Sequence, residues 1–249
     1  MDSIVVSSLF FFSFRLSPWD GCLNLNFDQI GLAPDFAAVC TRDHLGILWY
    51  GDPKHYTTAH AQAATLARAL IHAEAFLSFP NGIVLEVEPV TWLEVRDVPR
   101  PAKVVSGYMH QSLSSSPLDP NHPDKDRLCK AASLVRSLRN IMALRLALGD
   151  FYTARREVGP YSAFYAYRVL EDVGFHFGVT KDDHPDWKSM NRELGTSKEK
   201  WDPLIKAGTI ARHLNDRALQ KLERMDRNAF LRLAREAVEL ILDKIGWHS

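Results

Sequence analysis

Hydrophobic positions in the first half of the chain form short runs of β-branched and aromatic residues separated by turn residues, which predicts strands. The predicted strands cover residues 4–16, 36–40 and 46–50, the last two as a hairpin, and then 83–88 and 90–95. Pro89 interrupts the final strand, and a proline suits a strand at the edge of a sheet. Residues 57–76 lack Gly and Pro and repeat apolar residues every three or four positions, which predicts a helix. The first half is therefore predicted to be a small α+β domain.

The second half changes to the three- and four-residue spacing of amphipathic helices. Gly149 is predicted to end the first helix, Pro160 to open the second, and Asp226 to cap the last. The predicted helices cover residues 127–148, 160–177, 183–195, 202–215 and 226–245. They predict an all-α bundle of four or five helices. The predicted organisation is an α+β domain over 1–110, a Ser- and Pro-rich linker or long loop over 111–123, and the bundle over 124–249.

The charge of the chain is balanced overall but not locally. The 30 basic and 30 acidic side chains cancel, so no global field draws the protein to nucleic acid, membrane or acidic substrates. Residues 1–110 carry a net charge of −4, however, and residues 111–249 carry +4. The three cysteines include no C-x-x-C pair, which favours the reducing cytoplasm over a disulfide framework or a thiolate zinc site. No apolar run reaches the roughly 18 residues that span a membrane, and the apolar stretch after Asp2 lacks the basic start of a signal peptide.

The helix that begins at Pro160 carries polar groups on one face. Tyr165, Arg168, Asp172 and His176 are three or four residues apart and share a face that differs from the apolar one. One interpretation is a polar groove in which Arg168 binds an anion and His176 or Asp172 transfers a proton. The other is a surface ion pair between Arg168 and Asp172 worth about 0.3 kcal/mol, and the frequency of such pairs on helices favours it. The catalytic residues stay undetermined, with Arg168, Asp172 and His176 as candidates.

A basic segment follows the predicted linker. Residues 125–156 contain eight basic and two acidic side chains. Such a stripe is able to follow a phosphate backbone, with Phe151 and Tyr152 as stacking surfaces, although a solvated helix face is the commoner explanation of a charge run. The candidate nucleic-acid-binding residues of this segment are Lys130, Arg136, Arg139, Arg145, Arg155 and Arg156.

One acidic segment contains potential metal ligands. Asp182, Asp183, His184 and Asp186 supply oxygen and nitrogen donors of the kind that metal ions bind. Their spacing matches no ligand motif and a helix start explains them better, so no metal and no cofactor are predicted. The chain also lacks a Gly-rich phosphate loop, a nucleophile elbow and the zinc-protease motif. The large enzyme families that carry these motifs are therefore not supported.

The order of elements after residue 124 resembles that of the HEPN-like families, which are helical bundles of prokaryotic RNases, toxins and defence proteins. The resemblance rests on an aromatic helix with a mid-helix acid (Phe164–Glu171), a short helix with Trp187, and Arg212-His213 near a helix end before the final helix. It covers about residues 124–246 and no part of the first half. It implies a bundle that binds RNA or a partner protein and that offers a surface for homo-oligomer formation.

The sequence departs from the catalytic members of these families. They carry an Arg, four to six residues and then a His, because cleavage by 2′-OH attack needs a proton acceptor and a cation at the scissile phosphate. No Arg in this sequence is followed by a His at that spacing. The resemblance therefore implies a non-catalytic branch that binds RNA or a protein in prokaryotic defence or a toxin–antitoxin system.

The residues to test for this binding are Arg212, His213 and Asn215. The same three residues also fit an ordinary helix C-terminus, where basic side chains favour the dipole and Asn tolerates the left-handed cap. Two other functions stay open at this point. One is a metal-independent ribonuclease with a non-standard site, and the other is a structural subunit of an assembly.

Overall fold

The computed structural model describes residues 8–17, 27–33, 35–41, 44–81, 84, 86–95, 123–213, 220, 222 and 226–247. Within these residues the chain forms a five-stranded antiparallel sheet and seven α-helices. This confirms the predicted α+β class with a helical second half. None of the helices in these segments is both long and apolar enough to cross a membrane.

Contacts divide the described residues into two compact units. The sheet unit comprises those of 8–71 and 86–136, and the helical unit comprises those of 72–84 and 137–247. Helix α1 (Tyr56–Leu77) begins in the sheet unit, and its residues from His72 onward belong to the helical unit. The linker predicted over 111–123 lies outside the described residues except for Pro123, which begins a helix.

The sheet has the strand order β2-β3-β4-β1-β5. The strands are β1 (Ser8–Ser17), β2 (Phe27–Ala33), β3 (Phe36–Thr41), β4 (His44–Gly51) and β5 (Glu86–Val95). In β1, Phe10, Phe12 and Phe14 alternate onto one buried face, as the two-residue period of a strand requires. The ring of Phe10 lies 4.9 Å from that of Trp49, and the ring of Phe12 lies 5.9 Å from that of Tyr56 at the start of α1. Aromatic packing is therefore a large part of the core of the sheet unit, together with buried aliphatic residues such as Leu45 and Ile47.

Both strand predictions that depended on local signals are confirmed. The predicted hairpin is the β3–β4 pair, whose register runs from Phe36 opposite Trp49 to Thr41 opposite His44. Pro89 lies in β5 at the edge of the sheet, where the register to β1 shifts, so its missing N–H removes no hydrogen bond from a central ladder. The first predicted strand corresponds to β1, and its residues 4–7 lie outside the described part. Strand β2 was not predicted.

The helical unit is arranged around one central helix. Its helices are α3 (Met142–Arg156), α4 (Pro160–His176), α5 (Trp187–Leu194), α6 (Lys198–Arg212) and α7 (Arg227–Lys244), while α2 (Pro123–Ser137) precedes them. Helix α4 contacts α3, α5, α6 and α7. It begins at Pro160 as predicted, after Gly159 with a φ of +61°, and Asp226 caps α7 as predicted by accepting a hydrogen bond from the N–H of Asn228 at 2.9 Å.

The single helix predicted over 127–148 is wrong. Helix α2 ends at Ser137 and α3 begins at Met142, with a turn between them in which Arg139 and Asn140 are exposed. The turn contains Asn, which favours turns, but no Gly or Pro. The apolar spacing continues through it, and this spacing alone predicted one continuous helix. Gly149 does not end the helix but lies within α3.

Two helix starts in the second half also differ from the prediction. Helix α6 begins at Lys198 and contains Pro203, whereas the sequence predicted that the helix begins at residues 202–203. Pro203 is exposed and is the sixth residue of the helix, so its missing N–H removes one i→i−4 hydrogen bond from inside α6. Helix α5 begins at Trp187 and not at Asp183, because Asp186 is the residue whose carboxylate accepts a hydrogen bond from the N–H of Ser189, at 3.0 Å.

Candidate functional site

A polar seam crosses the helical unit where α4 packs between α3 and α6. Helix α4 presents Arg168, Glu171 and Asp172 to its neighbours, α3 contributes Asp150, and α6 contributes Arg212. Because ionisable groups are rarely buried in the interface between helices, this seam is the strongest candidate for a functional site in the described residues.

Arg168 pairs with a residue of the neighbouring helix. Its Nε lies 2.8 Å from Oδ2 of Asp150 on α3. This contact is an ion pair and not an aligned hydrogen bond, since that oxygen has no hydrogen-bond partner among the described residues. The surface pair expected between Arg168 and Asp172 is therefore wrong. Tertiary packing supplies the closer carboxylate, and Asp172 is buried.

Asp172 points into the interface between α3 and α4. It is 7% exposed, and its Oδ2 is also buried with no hydrogen-bond partner among the described residues. Burial raises the pKa of Asp172 to about 7, and the negative charge of Asp150 is the next cause. Burial also raises the pKa of Asp150, although the nearby Arg168 opposes this effect. The two carboxyl groups thus stand in the arrangement that favours a neutral acid beside a carboxylate near neutral pH.

The other end of the seam holds Arg212 in place. Its Nη2 donates to both carboxylate oxygens of Glu171, at 2.8 and 2.6 Å. Its guanidinium also lies over the rings of Tyr167 and Phe164, at 4.7 and 5.8 Å from their centroids. Burial and then the charge of Glu171 raise the pKa of Tyr167 to about 12. Arg212 is therefore neutralised and packed against α4, as a cation of a structural cluster is.

A glycine makes this contact between α4 and α6 close. A Cβ atom at Gly208 would lie 2.3 Å from Cγ of Tyr167, a distance that no pair of side chains tolerates. The absence of a side chain at Gly208 on α6 therefore makes room for the Tyr167 ring beneath Arg212.

The other two members of the predicted polar face, Tyr165 and His176, make no contact with this cluster among the described residues. His176 is exposed and its ring meets that of Phe177 edge-on at 5.0 Å. Partial desolvation and the charge of Lys244 lower the pKa of His176, so this imidazole is neutral at pH 7. Tyr165 is half-buried against Phe164, with ring centroids 5.4 Å apart. The structure thus brings Arg168 and Asp172 together with Asp150, while His176 belongs to the end of the helix.

Several predicted nucleic-acid-binding residues are engaged in internal contacts. Nη1 of Arg136 donates to the carbonyl oxygen of Gly31 at 2.6 Å within the sheet unit. Nη1 of Arg155 donates to the carbonyl of Ala75 and, at 3.1 Å, to the Ser78 hydroxyl. Arg156 lies 3.7 Å from a carboxylate oxygen of its neighbour Glu157.

The other candidates keep more freedom. Lys130, Arg139 and His213 are exposed, and Arg145 is half-buried. Arg139 and Arg145 make no side-chain hydrogen bond or ion pair with any described residue. Asn215 lies outside the described residues.

The two aromatic residues proposed as stacking surfaces are buried, so that expectation is wrong. Phe151 packs edge-on against Phe76 and Phe79, with ring centroids 5.4 and 5.7 Å apart. The ring of Tyr152 lies 4.6 Å from that of His72. Both residues belong to the hydrophobic contact between α3 and the end of α1, because they occupy the face of α3 opposite its exposed side.

The described residues contain no group of three or more His, Cys, Asp or Glu side chains arranged to hold a metal ion. In the acidic segment that was considered for metal binding, Asp186 serves as the cap of α5, and Asp183 occupies a turn with a φ of +58°. These local roles account for Asp183 and Asp186.

Sequence reasoning missed the central acid of the seam. Asp150 is separated from Arg168 and Asp172 by a helix end and a loop, so no spacing rule connects them. The one available signal was its position as an isolated acid among the basic residues of the 125–156 segment.

Comparison with known families concerns the helical unit. Residues 132–243, less than half of the chain, match the model of the C-terminal domain of a family described as a domain of unknown function, DUF8168. The match begins in α2 and ends in α7, and it includes the entire polar seam. No curated protein and no solved structure matches the chain.

Proposed function

We propose that the helical unit is a non-catalytic, HEPN-like module that binds nucleic acid, with RNA favoured, through the exposed side of α3 and the turn before it. The observation that carries this proposal is that Arg139, in the turn, and Arg145, on α3, have no ionic partner among the described residues. A guanidinium that no carboxylate neutralises attracts phosphate and releases counterions when it binds.

The division of labour among the basic residues supports the proposal. Arg155 and Arg212 donate hydrogen bonds to other residues of the helical unit. We therefore propose that these two residues stabilise the unit and do not contact RNA. Arg139 and Arg145 are left as the phosphate contacts, with Arg156 as a weaker one. Tyr161 is 58% exposed near Arg156 in sequence and offers a stacking surface in place of the buried Phe151 and Tyr152.

The biological setting of this module follows from the resemblance and from the cysteine content. HEPN-like bundles act in prokaryotic defence and in toxin–antitoxin systems, and we propose such a role here. An odd number of cysteines without a C-x-x-C pair favours a cytoplasmic protein.

The test is RNA binding of the full chain by fluorescence anisotropy at 50 and 200 mM salt. Arg139→Ala/Arg145→Ala is expected to weaken binding and to reduce the slope of log K against log salt by about 0.7 for each phosphate that the variant no longer neutralises. The matched control is Lys181→Ala/Lys188→Ala, which removes the same charge from two exposed positions of the same unit. Equal weakening by both double variants, or no binding at 50 mM salt, would overturn the proposal.

A second candidate is a metal-independent ribonuclease with a non-standard site. The arrangement of Asp150, Arg168 and Asp172 favours it, because a carboxyl group with a pKa of about 7 is suited to proton transfer and Arg168 is able to meet a phosphate. The same RNA-binding samples decide between the two candidates. Cleavage that Arg168→Ala and Asp172→Asn both abolish would establish the enzyme, whereas intact RNA in the bound state supports the non-catalytic module.

A structural role in an assembly is the outcome expected if RNA does not bind. Met142 and Leu146 are one helical turn apart on α3 and are 62% and 51% exposed. Such a pair favours contact with another protein or with a second copy of the chain. Sedimentation of the wild-type chain and of Met142→Ser/Leu146→Ser would detect this association as a loss of mass in the variant.

A further inference from the structure

Two carboxyl groups face each other across the interface between α3 and α4. Asp150 lies on α3 and Asp172 on α4, and each places its Oδ2 where solvent does not reach. No N–H or hydroxyl donor of the described residues bonds to either oxygen. A single cation of the described residues, Arg168, is paired with this cluster, through its contact of 2.8 Å with Asp150.

We infer that Asp150 and Asp172 share one proton across this interface and that the proton acts as a pH-sensitive latch between α3 and α4. Asp172, the more deeply buried of the two, carries the proton and donates its O–H to Asp150. Asp150 stays ionised and pairs with Arg168. Loss of the proton would place two negative charges in the interface opposite one half-exposed guanidinium.

The surrounding charges do not compensate for that loss. On α4 itself, Glu171 adds negative charge beside Asp172. On α6, Arg212 is held by Glu171 through two hydrogen bonds. Lys244 on α7 forms an ion pair with Glu193 on α5. The charge of Lys244 also lowers the pKa of His176, which lies one helical turn after Asp172 on α4.

The direction of the pH effect follows from linkage. The pKa of Asp172 rises from an ordinary value of 3.8 to about 7 in the folded protein. A raised pKa means that the folded state binds the proton more tightly than the unfolded state does, so the stabilisation is complete below about pH 4. It is lost as the pH rises from about 4 to about 7, and above this range the contribution no longer changes. The helical unit is therefore expected to hold α3 and α4 together more firmly under mildly acidic conditions.

The experiment is urea unfolding of the full chain, followed by circular dichroism of its helices, at several pH values between 4 and 8. Asp172→Asn keeps a permanently neutral donor toward Asp150 and is compared with wild type. Asp182→Asn is the control, since it removes one Asp charge from an exposed position of the same unit. Within the window, the unfolding equilibrium constant of wild type and of Asp182→Asn should rise relative to that of Asp172→Asn by up to tenfold per pH unit.

A second measurement follows the carboxyl groups directly. In full-length wild-type protein with 13C-labelled aspartate, one carboxyl signal should titrate near pH 7, and the same signal should be missing from Asp172→Asn. The latch is refuted if every aspartate of the wild type titrates below pH 5. It is also refuted if wild type and Asp172→Asn share the same pH dependence of unfolding.

Discussion

Arg227, the first residue of α7, donates from Nε to the hydroxyl of Ser162 on α4 at 3.0 Å. Its Nη2 reaches three carbonyl oxygens at the end of α3, those of Ala154, Arg155 and Glu157, at 3.2, 2.6 and 2.8 Å. The Ser162 hydroxyl in turn donates to the carbonyl of Ala154 at 2.7 Å. One side chain thus satisfies the last carbonyls of α3 and ties together three helices of the helical unit.

Replacement of Arg227 by Ala is expected to destabilise the helical unit by about 2–3 kcal/mol, because it removes charged hydrogen bonds and leaves carbonyl acceptors of α3 unpaired. Urea unfolding measures this loss, and Arg227→Lys should recover only part of it, since an ammonium group cannot reproduce the guanidinium geometry. Arg232→Ala is the control: its side chain is exposed and pairs with Asp226 at the surface, so it should cost less than about 1 kcal/mol. Equal losses in the two Ala variants would show that capping of α3 is not the cause.

Two glycines within helices should respond in opposite ways to Ala. At Gly208 the new methyl group would meet the Tyr167 ring at 2.3 Å, so α4 and α6 must separate and the variant should lose about 1–3 kcal/mol or more. At Gly149 the nearest side-chain atom, Nδ1 of His72, would lie 3.4 Å away, which is an ordinary contact. Gly149→Ala should therefore be neutral or stabilising by up to about 1 kcal/mol, as helix propensity predicts.

Thermal unfolding of the two variants beside wild type measures both effects. A stable Gly208→Ala protein would show that the close approach of α6 to Tyr167 is not required. A strongly destabilised Gly149→Ala protein would show that the space between α3 and His72 does not accept a methyl group.

The sequence predicted those elements whose signals are local. The apolar stripe of α4, the hairpin of β3 and β4 and the cap at Asp226 each depend on residues within a few positions of one another, and all three are confirmed. Strand β2 was not predicted because its alternation of apolar and polar residues is short, and its pairing with β3 is irregular. The turn between α2 and α3 was not predicted because it contains neither Gly nor Pro.

The candidate site was predicted only in part for the same physical reason. Arg168 and Asp172 are four residues apart, so the helix period places them on related faces, and both belong to the seam. Asp150 reaches them from another helix, and only the packing of α3 against α4 makes it their partner. Phe151 and Tyr152 illustrate the converse, since a stacking residue and a core residue look alike until the buried face of a helix is known.

The indole N–H of the buried Trp201 has its hydrogen-bond acceptor in the side-chain amide of Asn191. Nε1 of Trp201, which is 1% exposed, donates to Oδ1 of Asn191 at 3.0 Å, and the Thr196 hydroxyl donates to the same oxygen at 3.0 Å. Asn191→Ala should therefore cost about 1–3 kcal/mol, because the indole N–H is left buried without an acceptor. Thr196→Val, which removes the second donor and keeps the first hydrogen bond, should cost less. Denaturant unfolding of the two variants would contradict this interpretation if Thr196→Val were the more damaging.

Arg212 distinguishes a packing residue from an RNA contact. Its two hydrogen bonds to Glu171 and its position over Tyr167 predict that Arg212→Ala lowers stability by about 1–2 kcal/mol, a modest value because the side chain is 42% exposed. In a double-mutant cycle with Glu171→Gln, the two losses should couple by roughly 0.5–1 kcal/mol. RNA affinity at 50 mM salt should stay within about twofold of wild type, since Glu171 already neutralises the guanidinium, whereas Arg139→Ala/Arg145→Ala weakens it. If Arg212→Ala instead weakens RNA binding as much as that double variant, Arg212 must leave Glu171 to meet the phosphate, and the seam itself is then the binding site.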